Sequence, residues 1–306
     1  MAQLIVHAGY PKCGSTLLQR HVFPYLVQVR HVPFAGETEL YQALALRSFP
    51  GGEAGRSAAL SRFAHEVAAA TYPTLISAEH FIMPAECFRS LEHRTLRYLD
   101  GLTIFEQIAE LQVPVRVLVV VRRQDDWLRS WYQERVKRFE TRSFSKFVLA
   151  PENQVLLAVL LYHRMIESLE SKFGPRSVHV VPFELMRRDS AAFWHRLREL
   201  LPSVSPPIDM PVVRRGMRRE TVALRRSGNR LLRRLGRATG GETGLDRFAF
   251  GALKKAYALE SLFDRLLPPG RLSCDPPDGL MDHFRADNRA LSARLGTDLS
   301  QFGYCC

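Results

Sequence analysis

The stretch from residue 3 to residue 20 constrains the fold of this chain more than any other. Leu4 to Val6 is an apolar run with the length of a short buried strand. A turn containing Gly9 and Gly14 follows, and an apolar-periodic run that begins at Ser15 predicts a helix. A strand, a glycine-containing loop and a helix N-terminus in this order can bind phosphate, because the free amides and the helix dipole both favour an anion.

The spacing inside this loop differs from that of a nucleotide hydrolase. A Walker A loop places a lysine directly after its second glycine. Here Gly9 and Gly14 have the correct separation, but Ser15 stands in the lysine position, and the lysine of the loop is Lys12. The loop therefore predicts a phosphate-like ligand whose cation comes from inside the loop, and it is a poor fit to an ATPase or a kinase.

Length and composition indicate a folded globular protein. The 306 residues are enough for one large domain or two small ones, and 46% of them are hydrophobic. There is no apolar run of about 18 residues, and the first apolar run reads as a strand rather than a signal peptide. The five cysteines include no C-x-x-C pair, so neither a disulfide framework nor a zinc site is expected. We therefore expect a cytoplasmic setting.

The net charge of +12 predicts anionic partners. Of the 43 basic residues 37 are arginine, whose planar fork pairs well with phosphate or sulfate, although genome composition would produce the same bias. Ten arginines and one acidic residue lie between Arg214 and Arg237. This segment has three interpretations: a solvated helix face, a site for an acidic acceptor, and a peripheral membrane contact.

Strands alternate with helices along the chain. Thr74 to Ser77, Val115 to Val121 and Ser177 to Pro182 read as further strands, with a helix over 154–173 between the last two. This alternation predicts the α/β class, with a central parallel sheet flanked by helices. We expect a single domain over residues 1–306, with a helical insert at 31–70 and a mainly helical C-terminal part at 212–306.

Charged residues follow two of these strands, at the edge where open α/β sheets bind ligands. Arg122 follows the clearest strand, at a point where a Walker B strand would supply an aspartate for magnesium, so this edge is expected to bind an anion without a metal. Glu79 and His80 follow the second strand. Either is a candidate for the base that deprotonates an acceptor hydroxyl, and the sequence leaves the choice open.

Two separated motifs resemble those of sulfotransferases that use 3′-phosphoadenosine 5′-phosphosulfate (PAPS). Residues 9–16 are similar to the loop that binds the 5′-phosphosulfate, and Arg122 with Ser130 eight residues later is similar to the 3′-phosphate motif. Gln124 stands where the family often has proline. The resemblance implies a P-loop-like fold and donor-binding roles for Pro11, Lys12, Cys13, Gly14, Ser15, Thr16, Arg122 and Ser130. A looser likeness to a late nucleotide-closing loop adds Arg214, Arg215 and Gly216.

The resemblance is to bacterial members that act on carbohydrates. It implies metal-free, in-line transfer of a sulfuryl group from PAPS to a hydroxyl or amine, in a glycan or glycolipid, with Lys12 stabilising the leaving oxygen. One alternative is a P-loop kinase or NTPase. The other is a basic nucleic-acid-binding protein, which should carry aromatic residues among its arginines, and there are none between 214 and 237. The sequence leaves the oligomeric state open.

Overall fold

A computed structural model of the protein describes residues 3–32, 38–46, 48–79, 81–83, 101–206, 217, 219–238 and 275–306. The chain divides into two compact units. The first comprises Met1–Gln124, Glu152–Pro211 and Met281–Cys306, and the second comprises Asp125–Pro151 and Val212–Leu280. The expectation of a single domain over residues 1–306 stays a prediction.

The first unit is built on a parallel sheet. Its strands are β1 (Leu4–Ala8), β2 (Arg30–His31), β3 (Thr74–Ala78), β4 (Val115–Val121) and β5 (Val178–Pro182). They lie in the order β2-β3-β1-β4-β5, and each neighbouring pair is parallel. All residues of β1 and β3 are buried, as expected for strands covered on both faces. The predicted α/β class with a central parallel sheet is confirmed.

Helices cover this sheet and account for most of the described residues of the second unit. They are α1 (Ser15–His21), α2 (Glu39–Ala45), α3 (Gly52–Ala69), α4 (Gly101–Glu110), α5 (Gln124–Lys137), α6 (Phe144–Val148), α7 (Gln154–Val159), α8 (Tyr162–Phe173), α9 (Leu185–Arg188), α10 (Ser190–Arg198), α11 (Arg219–Ala238) and α12 (Arg285–Leu295). Of these, α5 after its first residue, α6 and α11 belong to the second unit. Among the described helices, none is long and apolar enough to cross a membrane.

The prediction of one helix over 154–173 is wrong, because the structure has two, α7 and α8. The break lies at Leu160, whose carbonyl accepts a hydrogen bond of 3.4 Å from the buried amide of Gln124. The carboxylate of Asp287 then accepts hydrogen bonds from the amides of His163 and Arg164, at 2.9 and 3.1 Å. These bonds satisfy the first turn of α8 and make a separate helix start favourable.

The order of the strands determines where a ligand can bind. After β3 the chain passes over β1 and adds β4 on its other side. The connection that follows β1 therefore runs to one side of the sheet, and the connection that follows β4 runs to the other. The loops at the carboxyl ends of these two strands diverge and leave a crevice between them. In open α/β sheets, ligands bind in this crevice. The loop that follows β1 and the residues that follow β3 and β4 are thus the parts of this unit to inspect for a site.

Candidate active site

Residues 9–16, here called the anion loop, connect β1 to α1 through an unusual backbone. Lys12 has φ of 69° and Gly14 has φ of 83°. Positive φ is unfavourable for a residue with a side chain, and such strained residues cluster at functional sites. Left-handed residues in a tight turn also direct successive amides to one side, which is how backbone nests bind anions. The backbone of the loop thus fits the anion site that its sequence predicts.

Hydrogen bonds inside the loop determine which amides face outward. The amide of Cys13 donates to the carbonyl of Tyr10 at 3.3 Å, so this predicted phosphate donor is already used within the loop. The Ser15 hydroxyl donates to the same carbonyl at 3.1 Å. The amides of Ser15 and Thr16 lie in the first turn of α1, where no preceding carbonyl is available to them. These two amides are the ones best placed to bind a phosphate group.

The residue in the Walker lysine position cannot reach a ligand. Ser15 is buried, and its hydroxyl is satisfied by the Tyr10 carbonyl. A Cβ atom at Gly9 would come within 2.8 Å of the Ser15 Oγ, and a Cβ atom at Gly14 would come within 3.0 Å of the Phe183 ring. Ser15 and Phe183 therefore pack directly against the loop backbone and leave little room for a side chain at either glycine.

Arg122 holds the loop from the end of β4. Its Nη1 donates to the carbonyl of Lys12 at 2.9 Å, and its guanidinium lies 5.2 Å from the centroid of the Phe183 ring. The Tyr162 hydroxyl donates to the Arg122 carbonyl at 2.6 Å. The arginine is therefore fixed at both backbone and side chain. Its positive charge lies against the backbone of Lys12, the only lysine of the motif.

A partly buried carboxylate supports this arrangement. Glu184 accepts hydrogen bonds from the Arg123 amide at 2.8 Å and from the Tyr304 hydroxyl at 2.9 Å. Burial is the main influence on this group and raises the pKa of Glu184, although the hydrogen bonds and nearby Arg122 oppose the shift. The carboxyl fixes the start of the segment after β4, so that Arg122 points to the anion loop.

The end of β3 lies on the other side of the loop. Ala8 pairs with Ala78, so Glu79 follows β3 directly beside Gly9. The Thr16 hydroxyl donates to Glu79 Oε1 at 3.4 Å, which is a long hydrogen bond. A carboxylate therefore lies next to the first turn of α1. The other candidate base, His80, lies outside the described residues.

Beneath the loop, a buried polar group joins β1, β3 and α1. His7 Nδ1 and Ser77 Oγ are 2.7 Å apart, and the side-chain amide of Gln19 donates to the same Ser77 oxygen at 3.0 Å. Burial lowers the pKa of His7 to about 3, so the imidazole is neutral at physiological pH. His7 is therefore a neutral packing residue inside β1.

Cys13 contributes no reactive thiolate to the loop. Its side chain is buried, and this burial raises the pKa of the Cys13 thiol far above its usual value. Arg122 opposes the shift, whereas Glu184 and Glu79 add to it. A neutral thiol is a poor nucleophile and a poor metal ligand. Within the described parts of the chain, no cluster of His, Cys, Asp and Glu side chains is suited to a metal ion.

The structure thus brings together Lys12, Glu79 and Arg122 with the anion loop. Ser130 lies on α5 in the second unit, and its part in a 3′-phosphate site stays a prediction. The predicted site residues Arg214, Arg215 and Gly216 lie outside the described residues. Sequence reasoning assigned no role to Phe183 and Glu184, which hold Arg122 and its neighbour. Their position directly after β5, at the same sheet edge, was the available signal.

Comparisons with known proteins add one similarity. No family model matches the chain, and no curated protein matches it. Among solved structures, the chain is similar to a sulfotransferase from Alicyclobacillus acidocaldarius, with 15% sequence identity and a TM-score of 0.46 over 98% of both chains. A similarity of this strength does not assign an activity to the chain.

Proposed function

We propose that the protein transfers a sulfuryl group from PAPS to a hydroxyl or amine acceptor without a metal ion. The observation that carries this proposal is that a second cationic residue, Arg122, binds the backbone of the anion loop at its lysine. Lys12 stands inside the anion loop in a left-handed conformation, and Arg122 is bound to its carbonyl. Two positive charges at a phosphate cradle suit a donor that is itself a dianion or more, and they would replace the charge that magnesium supplies to kinases.

The loop fits the phosphosulfate end of this donor. The amides of Ser15 and Thr16, with the positive end of the α1 dipole, would bind the 5′-phosphate. When bound, the donor supplies an activated sulfuryl group on a phosphate leaving group. Lys12 would stabilise the charge that develops on the leaving oxygen, which is the usual role of a fixed cation in such transfers. Arg122 and Ser130 are proposed to bind the 3′-phosphate.

Glu79 is the better supported of the two candidate bases. It follows β3 beside the loop, and its hydrogen bond from Thr16 leaves one carboxylate oxygen for an acceptor. A base has to reach the acceptor proton in the bound complex. We expect Glu79→Gln to lower turnover more than His80→Asn does. A larger loss in His80→Asn, at equal folded fraction, would transfer the role to the histidine.

One observation favours a second candidate function, a P-loop kinase or NTPase. P-loop enzymes hold magnesium between a Ser or Thr of the loop and a carboxylate at a strand end. Thr16 and Glu79 form such a pair in this structure, although the carboxylate follows β3 rather than β4. The absent lysine at position 15 opposes this candidate, because the buried Ser15 cannot replace it. Dependence on magnesium therefore distinguishes the two functions.

Thermal unfolding with different nucleotides tests the proposal. We expect 3′-phosphoadenosine 5′-phosphate to raise the Tm by about 5–10 °C at saturation, with the same shift in the presence of EDTA. ATP should stabilise less, with or without magnesium, and Arg122→Gln should reduce the shift caused by the 3′-phosphorylated nucleotide. Stabilisation by ATP and magnesium alone would instead support the kinase. A response to an oligonucleotide alone would support a nucleic-acid-binding protein.

The acceptor is proposed from the resemblance alone to be a carbohydrate or a glycolipid. A screen of sugars, glycolipids and small hydroxylated compounds with labelled PAPS would identify it. Transfer of label to a sugar hydroxyl supports the proposal. Transfer to a non-carbohydrate phenol or amine, with none to sugars, would correct it.

A further inference from the structure

The arginine-rich helix α11 is anchored in the second unit by one face. Val222 and Asn229 are each 2% exposed, and they lie seven residues apart, which is two helical turns. The Asn229 side-chain amide donates to the carbonyls of Val136 and Glu140, both at 2.9 Å. The inner face of the helix is thus packed and hydrogen-bonded, and this contact determines which side of α11 faces outward.

The outward side of α11 carries leucine. Leu224 and Leu231 are 60% and 54% exposed, and they too lie two turns apart. Each is two residues beyond a member of the buried pair, which places it about 200° around the helix, on the opposite side. Two large apolar side chains on one exposed face of an otherwise charged helix are the reverse of the usual arrangement, in which leucine faces the core.

Arginines of α11 lie to one side of this leucine face: around the helix from Leu231, Arg234 is at about 60°, Arg230 at about 100° and Arg233 at about 160°. Arg230, Arg233 and Arg234 line an open cavity of about 250 Å³ together with Thr141. The Nε of Arg230 donates to the carbonyl of Thr141 at 3.1 Å, which orients its guanidinium and leaves the outer nitrogens for a ligand. In the described part of the chain, no acidic side chain forms an ion pair with any of these three arginines. We call Arg230, Arg233, Arg234 and Thr141 the arginine surface.

Among the described residues, the carboxylate of Glu140 lies next in sequence to Thr141 but does not neutralise the arginine surface. Burial opposes ionisation of Glu140, but hydrogen bonds from Arg142 and Thr141 outweigh burial and lower the pKa of Glu140. Its carboxylate is bound by the Arg142 guanidinium at 2.7 and 3.0 Å, so its charge is already matched. Over its length, α11 contains seven arginines and one acidic residue, Glu220. The sequence of the helix therefore carries an excess of positive charge, beside the exposed leucines.

We propose that α11 binds the surface of a bilayer that contains anionic phospholipid. Leu224 and Leu231 enter the interfacial region, and the arginine surface binds headgroup phosphates. This is the arrangement of an amphipathic helix that lies in a membrane interface, where apolar side chains and attraction to anionic lipids act together. Guanidinium groups bind phosphate through paired hydrogen bonds, which suits them to phospholipid headgroups.

The composition of the helix favours lipid over nucleic acid as the partner. Single-stranded nucleic acid is usually held by aromatic side chains that stack on bases, in addition to basic residues. No aromatic residue lies between Arg214 and Arg237. The exposed leucines, in contrast, have no function against a phosphate backbone. The membrane proposal explains both the charge and the apolar face.

Vesicle flotation with the full-length protein tests this proposal. Vesicles of phosphatidylcholine alone are compared with vesicles that also contain phosphatidylglycerol. We expect binding to the anionic vesicles, with a decrease as salt is added, and little binding to the neutral ones. Equal binding to both vesicle types, or to neither, would overturn the proposal.

Two variants separate the parts played by charge and apolar contact. Arg230→Gln, Arg233→Gln and Arg234→Gln in one chain should weaken binding about a hundredfold, or about fivefold for each charge. Leu224→Ser with Leu231→Ser should weaken it at least about tenfold. Circular dichroism should show both variants folded, because the substituted side chains are exposed. Unchanged binding of the serine variant would contradict insertion of the leucines.

Matched controls remove the same charge or the same apolar surface elsewhere. Leu149→Ser replaces a leucine that is 56% exposed in the same unit but outside α11. Replacement of Arg20, Arg62 and Arg187 by glutamine removes equal charge from exposed positions of the first unit. Both controls should bind anionic vesicles nearly as the native protein does. An equal loss in the glutamine control would show that binding depends on net charge alone. An equal loss in Leu149→Ser would show that the leucines of α11 have no special part.

A single-stranded oligonucleotide provides the competing outcome. If it binds tightly, loses affinity in the arginine variant and keeps it in the serine variant, while vesicles do not bind, then α11 is a nucleic-acid surface and the proposal is wrong. The flotation experiment uses no sulfuryl donor. Its result is therefore independent of the proposed transferase activity, and either proposal can fail without the other.

Discussion

The anion loop and the arginine surface both collect positive charge, but they hold it in different ways. At the loop, the Arg122 guanidinium is bound to the Lys12 carbonyl and lies over the Phe183 ring. At the arginine surface, Arg233 and Arg234 are exposed, and the Nε of Arg230 is oriented by its hydrogen bond to the Thr141 carbonyl. Fixed charges stabilise one ligand in one geometry without reorganisation, whereas mobile ones lose side-chain entropy on binding. The first arrangement suits catalysis, and the second suits binding to a broad surface of negative charge.

The largest expected effect follows from removal of the Lys12 charge. Lys12→Met keeps the length of the side chain, so we expect kcat for sulfuryl transfer to fall by about 10²–10³-fold, since a fixed cation acts mainly in the transition state. The dissociation constant of the nucleotide, measured by calorimetry, should change much less. Lys12→Arg is the control, and it should recover part of the turnover. Unchanged kcat in the methionine variant would refute the assigned role.

The second largest effect is expected at Arg122, whose replacement should weaken nucleotide binding more than it lowers kcat. Arg122→Ala removes the charge-assisted interaction that we propose with the 3′-phosphate, so the affinity for 3′-phosphoadenosine 5′-phosphate should fall about 10–100-fold. Because the side chain also holds the Lys12 carbonyl, kcat should fall as well. Arg122→Lys keeps the charge but not the planar group over Phe183, and it should be intermediate. If the affinity is unaltered, the 3′-phosphate motif has been misread.

The rigidity of the anion loop can be tested through Gly14. Gly14 and Gly51 both precede a helix in the left-handed conformation, with φ and ψ of 83° and 5° and of 93° and 6°. A Cβ atom at Gly14 would approach Phe183 to 3.0 Å, whereas at Gly51 the nearest atom is 3.8 Å away. Gly51→Ala should lower the unfolding free energy by about 1–2 kcal/mol from backbone strain. Gly14→Ala should lower it by about 1 kcal/mol more.

This comparison depends on chemical denaturation of both variants under the same conditions. Equal losses would mean that the Phe183 ring moves aside, and the loop would then be less tightly packed than the structure indicates. A larger loss in Gly14→Ala together with weakened nucleotide binding would tie the stability of the loop to its function.

The sequence predicts the sheet well because its strands carry a strong local signal. The β-branched run of β4 extends over Val115–Val121, and the prediction has the same bounds as the structure. The edge strand β2 was missed, because its two residues, Arg30 and His31, have no apolar pattern. The break between α7 and α8 was missed for another reason: the groups that cause it, Gln124 and Asp287, come from distant parts of the chain.

The same division applies to the candidate site. Lys12, Glu79 and Arg122 were identified because each follows or lies in a loop after a strand, and strand ends meet at one edge of a parallel sheet. The residues that fix Arg122 could not be identified from their position after a strand. Phe183 acts through a contact across the sheet, and Tyr162 and Glu184 act through bonds to the backbone at Arg122 and Arg123. Such contacts depend on tertiary packing, which a local pattern does not encode.

The smallest effect is expected at the arginine surface, where stability should hardly change. Replacement of Arg230, Arg233 and Arg234 by glutamine should alter the unfolding free energy by less than about 0.5 kcal/mol per site, since exposed side chains contribute little to folding. Asn229→Ala, in contrast, removes the buried side-chain amide that donates to the carbonyls of Val136 and Glu140, and it should destabilise by about 1–3 kcal/mol. Urea unfolding measures both. A large loss in the glutamine variant would show that these arginines hold the second unit together, and the contrast between a fixed loop and a mobile surface would then not hold.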